Sequence, residues 1–170
     1  MALKIIEAHP DDYDAIGQLM VEVYSNLDGF PSPEEQPAYY DMLANIGEFT
    51  SKESVSLLVA KQEEEMVGAV VYVGNMKDYG SGGTATQEKN AAGFRLLAVS
   101  SRARGLGVGK KLTEACLEKA RKEQREQMVI HTTESMKVAW GMYEKMGFKR
   151  SKDLDFEQSG LPVFGFRLRL

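Results

Sequence analysis

In the stretch Arg104-Gly105-Leu106-Gly107-Val108-Gly109-Lys110, residue types and spacing could do chemistry. It follows the apolar run Phe94 to Val99 and opens an amphipathic segment, Val108 to Lys122. A strand, a glycine-rich turn and a helix start therefore come in that order. The first amides of such a helix have no acceptor inside it, and their partial positive charge adds to that of the helix dipole. Phosphate or pyrophosphate is the usual guest. Two familiar phosphate motifs do not fit. A dinucleotide fingerprint needs G-x-G-x-x-G, and Lys110 stands at its last glycine. A P-loop needs a glycine five residues before its Gly-Lys and a Ser or Thr after it; Arg104 and Lys111 hold those places. What is left is an arginine and three alternating glycines at a helix entrance. A bare flexible turn is the competing reading.

The other reactive side chains are few. The one cysteine, Cys116, shares an apolar helix face with Leu112, Ala115 and Ala120, which reads as a buried thiol. The two histidines, His9 and His131, form no ligand cluster with it, so no metal is expected. A net charge of −4 argues against a nucleic-acid partner, which would favour a basic surface. No apolar run approaches the roughly 20 residues of a membrane span, and the N-terminus lacks a signal-like segment. A cytoplasmic setting, with no membrane partner, is the expectation; pairing with a second copy is left open.

The elements that must position these residues follow from periodicity. At 170 residues the chain fits a single domain, 1–170. Leu3 to Glu7 reads as a strand. Pro10-Asp11-Asp12 starts a helix carrying Tyr13, Ile16, Leu19-Met20 and Val23-Tyr24 at helical spacing. A loop from Asn26 to Pro33 follows, and Pro37 opens a second helix with Tyr39, Met42-Leu43, Ile46 and Phe49 on one face. Ser56 to Lys61 and Met66 to Gly74 read as a hairpin. The polar segment Asn75 to Asn90 reads as a mobile loop. After strand Gly93 to Val99, the glycine turn and its helix come strand Met128 to His131, helix Ser135 to Met146 ended by Gly147, and final strands Phe148 to Ser151 and Val163 to Leu170. This order implies an α/β domain with a mixed, mostly antiparallel sheet flanked by helices. The step from Val99 to Met128 is its one parallel crossover.

Three blocks resemble the GCN5-related N-acetyltransferases (GNAT). Leu97-Ala98-Val99, followed by Ser100 to Gly109, is similar to the family's acetyl-CoA motif, with Arg104, Gly107 and Gly109 at its core positions. Ala139-Trp140-Gly141-Met142-Tyr143-Glu144-Lys145-Met146-Gly147-Phe148 resembles the family's later Tyr-Glu-Lys helix with its Gly-Phe. The element order is the third. A finer likeness, in Phe94 to Val99, His131-Thr132-Thr133, Met136 and Asp153 to Phe156, is to a bacterial subgroup without a settled acceptor.

The resemblance implies the acyl-CoA N-acyltransferase fold. It also implies transfer of an acetyl group from acetyl-CoA to a primary amine of a small molecule, by direct attack in a ternary complex. Arg104, Gly105, Leu106, Gly107, Val108, Gly109 and Lys110 would cradle the diphosphate; Leu97, Ala98 and Val99 would pair with the pantetheine arm. Tyr143 would protonate the leaving thiolate, with Met136 and Ala139 beside the coenzyme. Many relatives carry a Glu base where this chain has Gly93, and an Asn where it has Met136. The base is therefore open between His131, Glu134 and a water chain. Tyr24, Phe30, Tyr39, Tyr40 and Arg95 are expected to line the acceptor site. Two rival readings stand: a protein or peptide N-acetyltransferase, and an acyl-CoA sensor without turnover.

Overall fold

The computed structural model describes residues 2–170. Its strands are β1 (Leu3–Glu7), β2 (Val55–Gln62), β3 (Glu65–Val73), β4 (Ala91–Val99), β5 (Gln127–Thr132), β6 (Lys149–Arg150), β7 (Phe156–Gln158) and β8 (Leu161–Arg169). Its helices are α1 (Tyr13–Ser25), α2 (Pro37–Ala44), α3 (Val108–Lys122) and α4 (Lys137–Lys145). This is the α/β fold with a mixed, mostly antiparallel sheet and flanking helices. The chain divides into two compact units, Met1–Val71 with Leu96–Thr113, and Tyr72–Arg95 with Glu114–Leu170.

In the first unit the strand order is β1-β2-β3-β4. β1 and β2 are antiparallel, Leu3 opposite Gln62 and Glu7 opposite Leu58. The β2–β3 connection needs only Glu63 and Glu64, because Glu63 takes a left-handed φ of 59°. α1 buries Ile16, Leu19, Met20 and Tyr24. α2 stops at Ala44 and does not run on to Phe49 as the apolar spacing implied. The Asn45 side chain donates to the Asp41 carbonyl, and a 3-10 turn, Ile46–Ser51, takes over. Gly47 lies so close to the Tyr13 ring that a Cβ would stand 2.5 Å from it, a contact an uninterrupted amphipathic pattern does not reveal.

In the second unit the order is β3-β4-β5-β8-β6, with β7 pairing β8. β4 and β5 are parallel, Ala91 opposite Gln127 and Gly93 opposite Val129. β5 and β8 are antiparallel from Gln127 opposite Arg169 to Thr132 opposite Phe164. The segment from Asn75 to Asn90, expected as a mobile loop, is pinned instead. Two 3-10 turns fold it, Met76–Asp78 and Ala85–Gln87, and Met76, Tyr79 and Ala85 are buried. Its polar composition hid three apolar anchors. β7 was not foreseen; it is three residues long, too short to show an alternation.

Arg167, on β8 between β5 and β6, ties two loops of this unit to the sheet. It donates to both oxygens of Asp153 at 2.8 Å and to Glu88. Arg150 makes a fork to Asp155, with both contacts at 2.9 Å, while its guanidinium lies 5.0 Å from the Phe164 ring centre. Planar two-point pairing of this kind fixes geometry as well as charge.

Candidate active site

The first unit contains the glycine turn. A 3-10 turn over Ser101–Ala103 leads from β4 toward α3, and the Ser100 hydroxyl accepts from the Arg102 amide. Gly105 and Gly107 then adopt φ values of 81° and 77°, a region nearly closed to side chains. A Cβ at either would meet nothing within 4 Å, so the backbone here borders open space. Arg104, Gly105, Leu106, Gly107 and Lys110 are exposed, Gly109 is half-buried, and Val108 is buried. The backbone at the start of α3 is therefore exposed, with Val108 buried beneath it. Leu106, with 55% of its surface exposed, has no core role.

Just before the turn, Leu96 sits at a φ of 58°, an unusual value for a branched side chain within a strand. The Tyr24 hydroxyl donates to the carbonyl of the next residue, Leu97, at 3.0 Å. Such strain persists where neighbours over-determine it. Ala98 is buried, and Leu97 and Val99 are half-buried. Around Tyr24 the aromatics Phe30, Tyr39 and Tyr40 lie close together, with Tyr24 and Tyr40 themselves buried. Phe30 and Tyr39 lie 5.4 and 6.4 Å from its ring centre, and the Tyr40 hydroxyl donates toward the Tyr24 and Pro31 carbonyls.

The second unit holds Tyr143, His131, Met136, Ala139 and Arg95. The Tyr143 ring packs against Phe94 and Phe148, with centroids 5.8 and 5.6 Å away, and keeps only 4% of its surface exposed. Burial, then the nearby Cys116 and Tyr79, push its phenol well above the ordinary value, so it stays protonated. Its hydroxyl has no hydrogen-bond partner among the described residues. Nor is it sealed: the one buried side-chain polar atom there without a partner is Nε of Arg125. Met136 immediately precedes α4 and accepts a contact from the Thr132 hydroxyl through its sulfur at 3.4 Å. Ala139 is half-buried on the same helix.

His131 is not a free base. Its Nε2 lies 2.8 Å from the Leu154 carbonyl, which can only accept, so that nitrogen carries the proton. Nδ1 must then accept from the Tyr79 hydroxyl, 3.1 Å away. Both ring nitrogens are engaged, so His131, one of the base candidates the sequence left open, presents no unpaired ring nitrogen. Burial holds its pKa below the ordinary imidazole value, with the Leu154 carbonyl and Asp155 opposing and Arg95 assisting. Glu134 is exposed. Arg95 is committed too: its Nη1 donates to the Tyr79 carbonyl at 2.9 Å. Tyr79 is the residue the sequence reading missed; a lone aromatic in a Gly/Ser/Thr-rich stretch was the only signal. Cys116 is fully buried, and burial pushes its thiol far up.

Residues 19–148 match the acetyltransferase (GNAT) family. The chain belongs to that family, whose members are N-acetyltransferases. N-alpha-acetyltransferase 30 of Saccharomyces cerevisiae is 39% identical over 57 residues, and the chain spans only 32% of that relative's length. A GNAT-family acetyltransferase of Staphylococcus aureus Mu50 shares the fold over 99% of both chains at a TM-score of 0.76 and 18% identity. So does the PaiA N-acetyltransferase of Thermoplasma acidophilum, solved in complex with coenzyme A, over 97% of this chain and 98% of that one, at a TM-score of 0.74 and 14% identity. Among the described residues no helix is long and apolar enough to cross a membrane.

Proposed function

We propose that this protein transfers an acetyl group from acetyl-CoA to the primary amine of a small molecule, by direct attack within a ternary complex, and that residues 1–170 form one transferase domain. The observation that carries the reading is the turn at Gly105 and Gly107. Left-handed backbone, open space where side chains would be, and the unpaired first amides of α3 together fit a diphosphate. Arg104 and Lys110 add positive charge beside it. The amides of Leu97, Ala98 and Val99 offer the pantetheine arm a strand edge, and one of them can donate to the thioester oxygen as negative charge develops there.

Acetyl-CoA supplies an activated acyl carbon when bound; this chain supplies position and protons. Tyr143 is the acid that protonates or hydrogen-bonds the departing sulfur. Its support is a phenol that is neutral and without a hydrogen-bond partner among the described residues. Met136 and Ala139 flank the coenzyme. His131 stands on the base side. Phe30 and Tyr39, half-buried over the buried rings of Tyr24 and Tyr40, offer an aromatic surface against which a small amine can pack.

A second reading draws on the name of the yeast relative, an N-alpha-acetyltransferase: the acceptor would be the N-terminal amine of a protein. Release of free CoA measured over a panel of small amines and short peptides separates the two. Turnover on free amines supports the proposal, and turnover confined to peptides overturns its acceptor. Binding of acetyl-CoA with no turnover on either leaves a sensor. No binding at millimolar acetyl-CoA removes the proposal altogether.

A further inference from the structure

We propose that Tyr79 takes the proton from the acceptor amine and that His131 acts through it, so that the base of this enzyme is a phenol–imidazole relay. The inference rests on the acetyl-transfer reading. Three observations carry it, all within the second unit.

The first is placement. The parallel ladder between β4 and β5 runs from Ala91 opposite Gln127 to Gly93 opposite Val129 and stops there, while both strands continue. Tyr79 sits on the last rung: a Cβ on Gly93 would lie 2.9 Å from its Cε1 and 2.6 Å from the Val129 carbonyl. His131 is two residues beyond Val129 on the same face of β5. The pair thus occupies the point where the strands part, and Gly93 puts no side chain of its own there.

The second is direction. The Leu154 carbonyl forces the proton of His131 onto Nε2, so Nδ1 presents a lone pair to the Tyr79 hydroxyl. The tautomer is the one a relay requires. The third is charge. Burial, the largest influence, pushes the Tyr79 phenol far above its ordinary value and keeps it protonated at rest; Arg95, which donates to the Tyr79 carbonyl with its guanidinium 5.8 Å from the ring centre, opposes this and eases negative charge on the oxygen as its proton leaves. On the other side, Asp155 and the Leu154 carbonyl favour a cationic imidazole. Tyr79, Arg95, Asp155 and the Leu154 carbonyl are the groups that face His131, with the Phe156 ring 5.1 Å away.

The step balances. As the amine nitrogen bonds to the acyl carbon and the carbon–sulfur bond breaks, the bonding pair leaves on sulfur, which takes the Tyr143 proton (regained later from solvent), and the amine loses a proton to the Tyr79 oxygen. The phenol proton passes at the same time to Nδ1 of His131. The phenol ends as it began, and the imidazolium later returns its proton to solvent by the reverse path. At rest, burial keeps the imidazole neutral and able to accept.

The test compares the wild type with Y79F, which keeps the ring in the Gly93 space and removes only the hydroxyl, and with H131Q. A small amine that turns over is the acceptor, and kcat/KM is followed against pH. In the wild type the acid limb steepens by one proton below the ordinary imidazole value, about 6.5. Y79F loses about a hundredfold in rate, general-base catalysis being of that size, and its limb no longer steepens, while KM for acetyl-CoA is unchanged. The double variant is no slower than either single one, because the two groups act as a unit. Y79F with the wild-type rate and profile overturns the relay and leaves the transferase reading intact. If Y79F does not fold, Tyr143→Phe, which has no acid proton of its own to transfer, decides: its rate in mixtures of light and heavy water curves with deuterium content when the amine and phenol protons move together, and a straight line overturns the relay. A wild type that releases no CoA with any amine overturns both the relay and the reading beneath it.

Discussion

The Tyr79 ring fills the space that a side chain at Gly93 would need: a Cβ there would stand 2.9 Å from Cε1 of Tyr79 and 2.8 Å from the sulfur of Met76. A third contact, 2.6 Å to the Val129 carbonyl, is with backbone and cannot relax by a rotamer change. Gly93→Ala is therefore expected to destabilise the fold by about 1–3 kcal/mol, the usual cost of overpacking. Gly93→Glu, which would place a carboxylate where many family members have one, is expected to cost more and to restore no activity. Urea unfolding of both variants checks this. A Gly93→Ala variant as stable as the wild type would show that Tyr79 and Met76 can move away.

Tyr143→Phe separates chemistry from packing. A buried hydroxyl that holds a partner costs about 1 kcal/mol to remove. The Tyr143 hydroxyl has none among the described residues, so the substitution is expected to leave thermal stability and acetyl-CoA binding unchanged. The rate of CoA release should fall by about a hundredfold, within the usual range for losing a positioned acid. Because burial raises the phenol above its ordinary value, the wild-type rate should show no loss from Tyr143 ionisation up to about pH 10. An undiminished rate in Tyr143→Phe would remove Tyr143 from the mechanism.

His131 makes stability depend on pH in a defined window. Its folded pKa lies below its unfolded value of 6.5. As pH falls through 6.5, the unfolded chain takes up a proton that the fold refuses, so stability falls until the folded imidazole also protonates. Above that window this group contributes no pH dependence. Asp153 and Asp155 do not interfere, because both are held below the ordinary carboxylate value. For Asp153 the cause is Arg167; for Asp155 burial acts upward and is outweighed by Arg150 and the Gly165 amide. Unfolding free energies at pH 7.5 and 5.5 should differ in the wild type, and the difference should shrink in His131→Gln. An equal slope in both would place the effect on other groups.

The fold was legible wherever one face of an element is apolar over several turns or several alternations. α1, α3 and β2 to β5 fall within a residue or two of the positions their periodicity implied. Readings failed where the deciding contact is distant in sequence. α2 ends early through Asn45 and Gly47, and Gly47 packs on Tyr13, 34 positions away. The glycine turn could be read because its chemistry is local: alternating glycines and a helix start. The Tyr79–His131 pair could not, since its partners are 52 residues apart and composition alone marked the Tyr79 segment as loose. The tautomer of His131 depends on what its ring nitrogens face, and the Leu154 carbonyl that fixes it lies 23 residues away.

Gly107→Ala tests the cradle against a matched control. Gly107 has a φ of 77° and Gly160, in the turn between β7 and β8, a φ of 83°; a Cβ at either would meet nothing within 4 Å. Alanine in that left-handed region costs roughly 1–2 kcal/mol, and neither site adds a clash. The two variants should therefore lose similar stability. Only Gly107→Ala places a methyl group where the diphosphate would approach the backbone. Its Kd for acetyl-CoA should rise about tenfold or more, equivalent to about 1.4 kcal/mol, while Gly160→Ala binds as the wild type does. Calorimetric titration with acetyl-CoA, with CoA as competitor, reads the difference. Equal affinities in the two variants would mean that residues 104–110 form a bare turn and that the carrier is held elsewhere.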